Sequence, residues 1–182
     1  MRILICGHSS FASQGLPQLL RDAGHEVTLF GRGATDRREQ PGLGLIVTGP
    51  VAELHSNPHL RPDTAGSFNA VVNYILLKDE SIEKNVAYTR SLMQFCAETG
   101  VKHLVHISSV SSYSGSARLI DEQATLENDP LKKGSYGSLK VASDVDVLNH
   151  RPPAMKLTMV RPGFILGPGL VDPIIGTGAR LP

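Results

Sequence analysis

The first 24 residues contain the feature that most constrains the fold of this chain. A short apolar segment, Arg2 to Cys6, is stopped by Gly7. Leucines then recur at helical spacing from Leu16 until Gly24 ends the pattern. An apolar run without alternation indicates a strand that is buried on both faces, as in a parallel sheet. Strand, glycine turn and helix in this order predict the opening unit of an α/β domain.

The rest of the chain repeats this alternation of apolar runs and helical periodicity. Further strands are predicted at Glu26 to Phe30, Leu43 to Val47, Ala70 to Tyr74, Leu104 to Ile107 and Lys156 to Val160. Longer helices are predicted from Ser81 to Thr99 and from Tyr136 to about Asn149. Six strands joined through helices predict a doubly wound parallel sheet, the Rossmann fold.

Composition excludes several classes of protein. With 182 residues, 41% of them apolar, and a net charge of +1, the chain predicts one soluble domain without the basic patch that nucleic acid or an anionic membrane attracts. No apolar run approaches the roughly 20 residues that cross a bilayer. Cys6 and Cys96 are too few for a disulfide framework, which fits the cytoplasm. His55 and His59 have a metal-like spacing, but Pro58 interrupts it and no third ligand follows, so no metal site is predicted.

Two side chains in the last predicted helix suggest proton chemistry. Tyr136 and Lys140 are four residues apart and therefore share a helix face. A free tyrosine titrates near pKa ~10, so proton exchange at neutral pH needs its pKa lowered by about three units. An ammonium at ~4.5 Å, in an effective dielectric of ~20, supplies about 3.7 kcal/mol of the roughly 4 kcal/mol required.

A group of serines follows the apolar run that ends at Ile107. These serines, Ser108, Ser109, Ser111 and Ser112, come after the predicted fifth strand. Ligands bind at the carboxyl ends of strands in an open α/β sheet. Hydroxyl groups placed there can polarise a reacting oxygen.

This set of residues resembles the extended short-chain dehydrogenase/reductase family, the NAD-dependent epimerases and dehydratases. The family's catalytic signature is a Ser or Thr after the fifth strand, followed by Tyr-x-x-x-Lys. By its spacing to Tyr113, Ser109 matches the catalytic serine, with Ser108 and Ser111 as close competitors. The segment from Arg161 to Pro168 resembles the family's Arg-Pro-x-x-x-x-Gly-Pro segment beside the nicotinamide. The catalytic residues that the resemblance implies are Ser109, Tyr136 and Lys140.

The resemblance implies an NAD(P) cofactor at the glycine turn, where this sequence departs from the family. Of the family's G-x-x-G-x-x-G pattern only Gly7 is present, because Ser10 and Ser13 occupy the other two places. Serine is the mildest replacement, and its hydroxyl could itself bond a phosphate. Pro17 would clash in a helix that began directly after the turn. The helix therefore either starts late, near Leu16 with Pro17 in its first turn, or kinks.

The residues after the second strand bear on the choice of cofactor. Gly31 and Arg32 stand where an NAD enzyme places an acid, and an arginine suits the extra phosphate of NADP. NADP is therefore favoured, with a solvated loop arginine as the alternative. Ile75 and Leu76, after the fourth strand, are bulkier than the family's small residues and predict a narrower cleft. The implied cofactor-binding residues are Gly7, Ser10, Phe11, Ser13, Arg32, Lys78, Asn85, Tyr136, Lys140 and Pro162.

The predicted units account for the whole chain. The expected division is an NAD(P)-binding domain at 1–170 and the start of a truncated substrate region at 171–182. The resemblance implies a nucleotide-sugar or a similar hydroxyl or carbonyl compound as substrate, and a homodimer is one possible assembly. Val110 and Ser111 do not supply the acid and base of a dehydratase, which favours an epimerase or reductase. Two alternatives stay open: a binding or sensor module without turnover, and a remnant that folds but binds nothing.

Overall fold

The computed structural model describes residues 1–65, 67–115 and 120–165. The strands in this part of the chain are β1 (Arg2–Cys6), β2 (Glu26–Arg32), β3 (Asp36–Gln40), β4 (Gly44–Gly49), β5 (Ala70–Asn73), β6 (His103–Ile107) and β7 (Lys156–Val160). They form one sheet of order β3-β4-β2-β1-β5-β6-β7. All neighbouring strands are parallel except β3, which is antiparallel to β4. The predicted α/β Rossmann architecture is confirmed.

Helices join the strands. Their bounds are α1 (Leu16–Asp22), α2 (Pro62–Ala65), α3 (Ile82–Thr99) and α4 (Ser135–His150). The hydroxyl of Ser81 caps α3 by accepting a hydrogen bond from the backbone N–H of Lys84. Gly100 ends the helix in the left-handed conformation at φ 70°. The two long helices thus lie where the sequence predicted them, within a residue or two at each end.

The strand β3 was not predicted, so the expected count of six strands was one too low. All five of its residues are exposed, and its sequence, Asp-Arg-Arg-Glu-Gln, has no apolar alternation from which a strand could be inferred. It is held by antiparallel pairing, with Asp36 opposite Thr48 and Gln40 opposite Gly44. Charged residues suit this position, because an exposed edge strand with polar side chains resists pairing with other chains.

The core lies on both faces of β1. Because successive side chains of a strand point to opposite faces, Leu4 and Cys6 join the larger apolar cluster, under α3 and α4, while Ile3 and Ile5 join the smaller one. Burial raises the pKa of the Cys6 thiol to about 12, which leaves it an unreactive core residue. Among the described helices, none is long and apolar enough for a membrane crossing.

Candidate active site

Polar side chains from several elements meet at the carboxyl edge of the sheet. They line a cavity of about 580 Å³ bounded by the turn after β1, the ends of β5 and β6, the start of α4 and the segment after β7. The lining includes all three predicted catalytic residues, Ser109, Tyr136 and Lys140. Besides Tyr136 and Lys140, which are also predicted to bind the cofactor, it includes four more of the predicted cofactor-binding residues, Ser10, Phe11, Lys78 and Pro162. The fold therefore gathers most of the predicted site into one place.

The first two turns of α4 present Tyr136 and Lys140 to this cavity. The ammonium nitrogen of Lys140 lies 5.9 Å from the centre of the Tyr136 ring. The ammonium of Lys78, on the segment between β5 and α3, lies 6.0 Å from the same centre. Tyr136 is 42% exposed and so remains open to a substrate. Two cations thus flank the phenol, where they favour negative charge that develops on its oxygen.

Lys140 is held by the end of β6. It is 5% exposed, and its ammonium donates a hydrogen bond of 2.8 Å to the carbonyl oxygen of Ile107. Burial lowers the pKa of Lys140 to about 8, an effect that Asp144 partly offsets and Lys78 increases. Lys140 therefore loses its proton about one pH unit above neutral, and groups that change charge near neutral pH are common in active sites.

The serines after β6 divide into two kinds. The Ser108 hydroxyl donates to the carboxylate of Asp144 at 2.7 Å, so its only proton is already committed. The Ser109 hydroxyl donates to a neutral group, the hydroxyl of Ser111 at 3.1 Å, and such a hydrogen bond is weaker than one to a carboxylate. All three serines line the cavity, but Ser109 and Ser111 can turn a hydroxyl toward a reacting oxygen at lower cost and remain the candidates, whereas Ser108 is held by Asp144.

The turn after β1 takes the late-start form of the two predicted alternatives. A single turn of 3-10 helix, Phe11–Ser13, follows Gly7, and α1 begins only at Leu16 with Pro17 in its first turn. The Ser13 hydroxyl lies 3.2, 2.8 and 2.8 Å from the carbonyl oxygens of Gly7, His8 and Ser10. Ser13 therefore ties the turn together, and Ser10 is the serine that faces the cavity.

Gly7 packs directly against the segment after β5. Its φ of +83° favours glycine, and a Cβ at this position would approach Cγ1 of Ile75 to 3.0 Å. Ile75 thus fills space beside the turn, in line with the narrower cleft that its bulk predicts. Leu76, by contrast, lines the cavity wall.

A second cavity of about 180 Å³ extends the first toward β2 and includes Arg32 and Gly7 in its lining. The two cavities share Ser10, Tyr74 and Leu76. Because they share these three residues, the two cavities are neighbours at the carboxyl ends of the strands, and together they are here called the cleft. Arg32 lines its smaller part and Tyr136 its larger part.

Asn85 lies outside the lining of both cavities. It is 1% exposed, its side-chain oxygen accepts from the N–H of Leu77 at 2.9 Å, and its amide donates to the carbonyls of Leu77 and Ser81 at 3.0 Å each. These bonds clamp the segment that carries Lys78. Asn85 therefore acts on the cleft indirectly, through the backbone beside Lys78.

Replacing Asn85 should destabilise the fold. Asn85→Ala leaves the buried N–H of Leu77 without its partner, while the Leu77 carbonyl keeps the backbone N–H of Glu80, so we expect a loss of roughly 1–3 kcal/mol in the free energy of unfolding. Urea denaturation measures it. Asn149→Ala, at an exposed position of α4, is the control and should change stability by under about 0.5 kcal/mol. A loss below about 1 kcal/mol for Asn85→Ala would contradict the clamp.

A buried carboxylate beneath the predicted catalytic residues was not itself predicted. Asp144, 3% exposed, accepts hydrogen bonds from Ser108 at 2.7 Å and from Arg161 at 3.2 Å. Burial alone raises the pKa of Asp144, but the nearby ring of His106, the hydrogen bond from Ser108 and the charge of Arg161 hold this pKa below its ordinary value. Its spacing was an available signal, since Asp144 follows Lys140 by one helical turn.

Comparison with known proteins identifies the family. The sequence model of the NAD dependent epimerase/dehydratase family matches residues 3–178. The chain belongs to this family. The predicted family membership is therefore confirmed. The last part of the predicted Arg-Pro-x-x-x-x-Gly-Pro segment, from residue 166, and the 171–182 region lie outside the described residues.

Relatives in this epimerase/dehydratase family have different named activities. A 3-beta-hydroxysteroid dehydrogenase of Mycolicibacterium neoaurum is 26% identical over 180 residues, covering 92% of this chain and 48% of the relative. A UDP-glucose 4-epimerase of Corynebacterium glutamicum is 24% identical, covering 82% of this chain and 46% of the relative. The chain thus spans about half the length of these curated relatives.

Solved structures of the family share the fold. The Bordetella bronchiseptica enzyme WbmG, in complex with NAD and UDP, superposes with a TM-score of 0.72 at 22% identity, covering 96% of this chain and 57% of that one. The NDP-hexosamine 5,6-dehydratase TunA has a TM-score of 0.67 at 23% identity, with 88% and 54% covered. At these identities the likeness establishes the Rossmann architecture and nothing finer.

Proposed function

We propose that this chain is the cofactor-binding and catalytic part of an NAD(P)-dependent oxidoreductase that acts on a hydroxyl or carbonyl group of a small molecule. The observation that carries the proposal is the convergence of Ser109, Tyr136 and Lys140 on one cavity at the carboxyl edge of the sheet. In the reaction Tyr136 exchanges a proton with the substrate oxygen, and Ser109 donates a hydrogen bond to the same oxygen. Lys140 supplies the positive charge beside the phenol.

The lining of the cleft suits a dinucleotide. It includes Arg32 in the smaller part, Ser10 in both parts, and Lys78 and Lys140 in the larger part. When bound, NAD(P) would accept or return hydride at the carbon that carries the reacting oxygen. Arg32, with no acid beside it, supports a preference for NADP. WbmG, by comparison, was solved with NAD.

The relatives suggest two substrate classes. A nucleotide-sugar is our first proposal, since one relative is a UDP-glucose 4-epimerase and WbmG was solved with UDP. A sterol is the second class to screen, given the 3-beta-hydroxysteroid dehydrogenase. Val110 and Ser111, beside Ser109, offer no carboxylate, which supports epimerase or reductase chemistry over dehydration.

The cofactor preference has a direct test. NADPH at a hundred times its dissociation constant should stabilise the protein by about 2.7 kcal/mol, which raises Tm by roughly 5–10 °C. We expect a larger shift with NADPH than with NADH at equal concentration. Arg32→Ala should remove most of this difference, whereas Arg151→Ala, an exposed arginine at the end of α4, should preserve it. Equal losses for both cofactors in Arg32→Ala would show that Arg32 does not read the extra phosphate.

A binding module without turnover is the second candidate. The serines at positions 10 and 13 and the displaced start of α1 favour it. A cofactor-dependent shift in Tm together with no turnover in either substrate screen would support this candidate. A cooperative melt that neither cofactor shifts would instead indicate a remnant.

A further inference from the structure

Asp144 lies at the centre of a buried polar cluster beneath the catalytic residues. The Asp144 cluster consists of Asp144, Ser108, His106 and Arg161. One carboxylate oxygen, Oδ2, accepts from Ser108 at 2.7 Å and from Nη2 and Nε of Arg161 at 3.2 and 3.3 Å. The other oxygen, Oδ1, lies 3.6 Å from Nε2 of His106, and neither of these two atoms has a hydrogen-bond partner among the described residues.

The orientation of His106 is set by its other neighbours. The side-chain oxygen of Asn73 accepts from the N–H of Ile75 at 3.1 Å and from the hydroxyl of Tyr88 at 2.5 Å. The amide nitrogen of Asn73 must therefore face His106, where it lies 3.0 Å from Nδ1. Since that amide can only donate, Nδ1 accepts and Nε2 carries the ring hydrogen. His106 thus directs an N–H toward Oδ1 of Asp144.

Asp144 and Lys140 share a face of α4. The two residues are one turn apart on α4, and the attraction of Asp144 opposes the loss of hydration that Lys140 suffers on burial. The charged and titratable groups around this space are Tyr136 and Asp144 on α4, Lys78 before α3, His106 on β6 and Arg161 after β7. Lys78 and Arg161 are both cationic, so Asp144 is the acidic residue in this set.

We propose, building on the function proposed above, that Asp144 is a positioning residue that keeps Lys140 protonated beside Tyr136, and that Ser108, His106 and Arg161 keep Asp144 ionised and in place. The cluster reaches the reaction only through Lys140. Asp144 is sealed beneath the cavity lining and does not touch the substrate.

The role of the cluster follows from the cost of burying an ammonium. A buried lysine without a nearby anion releases its proton near neutral pH. Since Lys140 already titrates at a pKa of about 8, removal of the Asp144 charge would leave it largely neutral at pH 7.5. Tyr136 would then lose the positive charge that favours its phenolate. The descending limb of the pH–rate profile should accordingly move to lower pH.

The test measures the pKa of Lys140 by NMR of its side-chain nitrogen, so it does not depend on turnover. In Asp144→Asn we expect that pKa to fall by roughly one to two units, the effect of one unit charge at about 6 Å in an effective dielectric of ~20. In Asp144→Glu, which keeps the negative charge, the pKa of Lys140 should stay close to its wild-type value. Where a substrate is turned over, the descending limb of kcat/KM should move with the measured pKa.

Asp146 provides a matched control. It is also a buried carboxylate of α4, 5% exposed, but it bonds Thr89 at 2.7 Å and Arg90 at 2.8 Å on another face of the helix. Asp146→Asn should destabilise the fold without moving the pKa of Lys140. An unchanged Lys140 pKa in Asp144→Asn, or an equal fall in Asp146→Asn, would overturn the proposal.

A reciprocal variant covers the case in which Asp144→Asn does not fold. Lys140→Met removes a buried charge and keeps the chain length, so it should fold. Coupling between two sites is mutual, so the pKa of Asp144, read from its carboxyl carbon, should rise in this variant. An Asp144 pKa identical to that of the wild type would overturn the proposal. If the wild-type protein turned over no substrate but the pKa values of Lys140 and Asp144 were coupled as expected, only the proposed function would be refuted.

Discussion

Tyr136→Phe should reduce kcat by about 10³-fold or more while leaving the fold and cofactor binding almost intact. The change removes a single hydroxyl from a side chain that is 42% exposed, so no buried group loses a partner and the ring keeps its packing. What is lost is the proton exchanged with the substrate oxygen, and a positioned acid–base group typically contributes about 10²–10⁴ in rate. Steady-state kinetics with the preferred cofactor, and thermal shift for its binding, measure the two effects separately.

The control for this prediction is Tyr113→Phe. It makes the same chemical change at a tyrosine that lies beside Arg161, with its ring 5.5 Å from the guanidinium, and that is absent from the cavity lining. We expect its kcat to stay within about threefold of the wild type. If Tyr136→Phe also retained its turnover within tenfold, Tyr136 would not be the proton-exchanging group, and another donor in the cleft would have to replace it.

Lys140→Met should abolish turnover and at the same time stabilise the protein at neutral pH. Burial lowers the pKa of Lys140 from its ordinary value of 10.5 to about 8, so below pH 8 the folded state holds an ammonium that is better hydrated in the unfolded chain. The difference corresponds to about 3 kcal/mol. Methionine leaves the Ile107 carbonyl without its donor at about 1 kcal/mol, so the net gain at pH 7 should be about 2 kcal/mol.

The dependence of stability on pH tests this explanation. Between pH 8 and 10.5 the unfolded chain binds the lysine proton more than the folded chain does, so the stability of the wild type should rise with pH across this window. In Lys140→Met that rise should disappear. Urea denaturation at several pH values measures both, with the exposed Lys102→Met as a control that keeps the wild-type slope. A destabilised Lys140→Met variant with an unchanged slope would mean that Lys140 is well solvated.

The features that the sequence predicted correctly are those that depend on residues close together in the chain. The buried run of β1 and the four-residue spacing of Tyr136 and Lys140 are local patterns, and both predicted the structure correctly. The contacts of Ser13 were not predicted. Its position in the glycine pattern suggested a phosphate contact, whereas its hydroxyl bonds carbonyl oxygens of the same turn. The direction of a hydroxyl depends on the path of the backbone, which sequence pattern does not supply.

Features that depend on distant partners were missed. The strand β3 has no apolar pattern and exists because β4 lies beside it. Asp144 gains its surroundings from His106 on β6 and from Arg161 after β7, which the fold brings together. The resemblance places Asn85 among the cofactor-binding residues, but the backbone groups that it bonds, those of Leu77 and Ser81, depend on the path of the segment before α3.

The strand order also determines the order in which parts of this chain are expected to fold. Arg2 pairs with Glu26, so β1 and β2 can pair once the connection that contains α1 is made, whereas Ile3 pairs with Ala70 and must wait for a much longer segment of chain. Closing longer loops costs more entropy, and non-local strand pairing slows folding. We therefore expect the β1-β2-β4 half to form early, while the chain is still being synthesised. Docking of β5, β6 and β7, which completes the site, should be the slow step of folding.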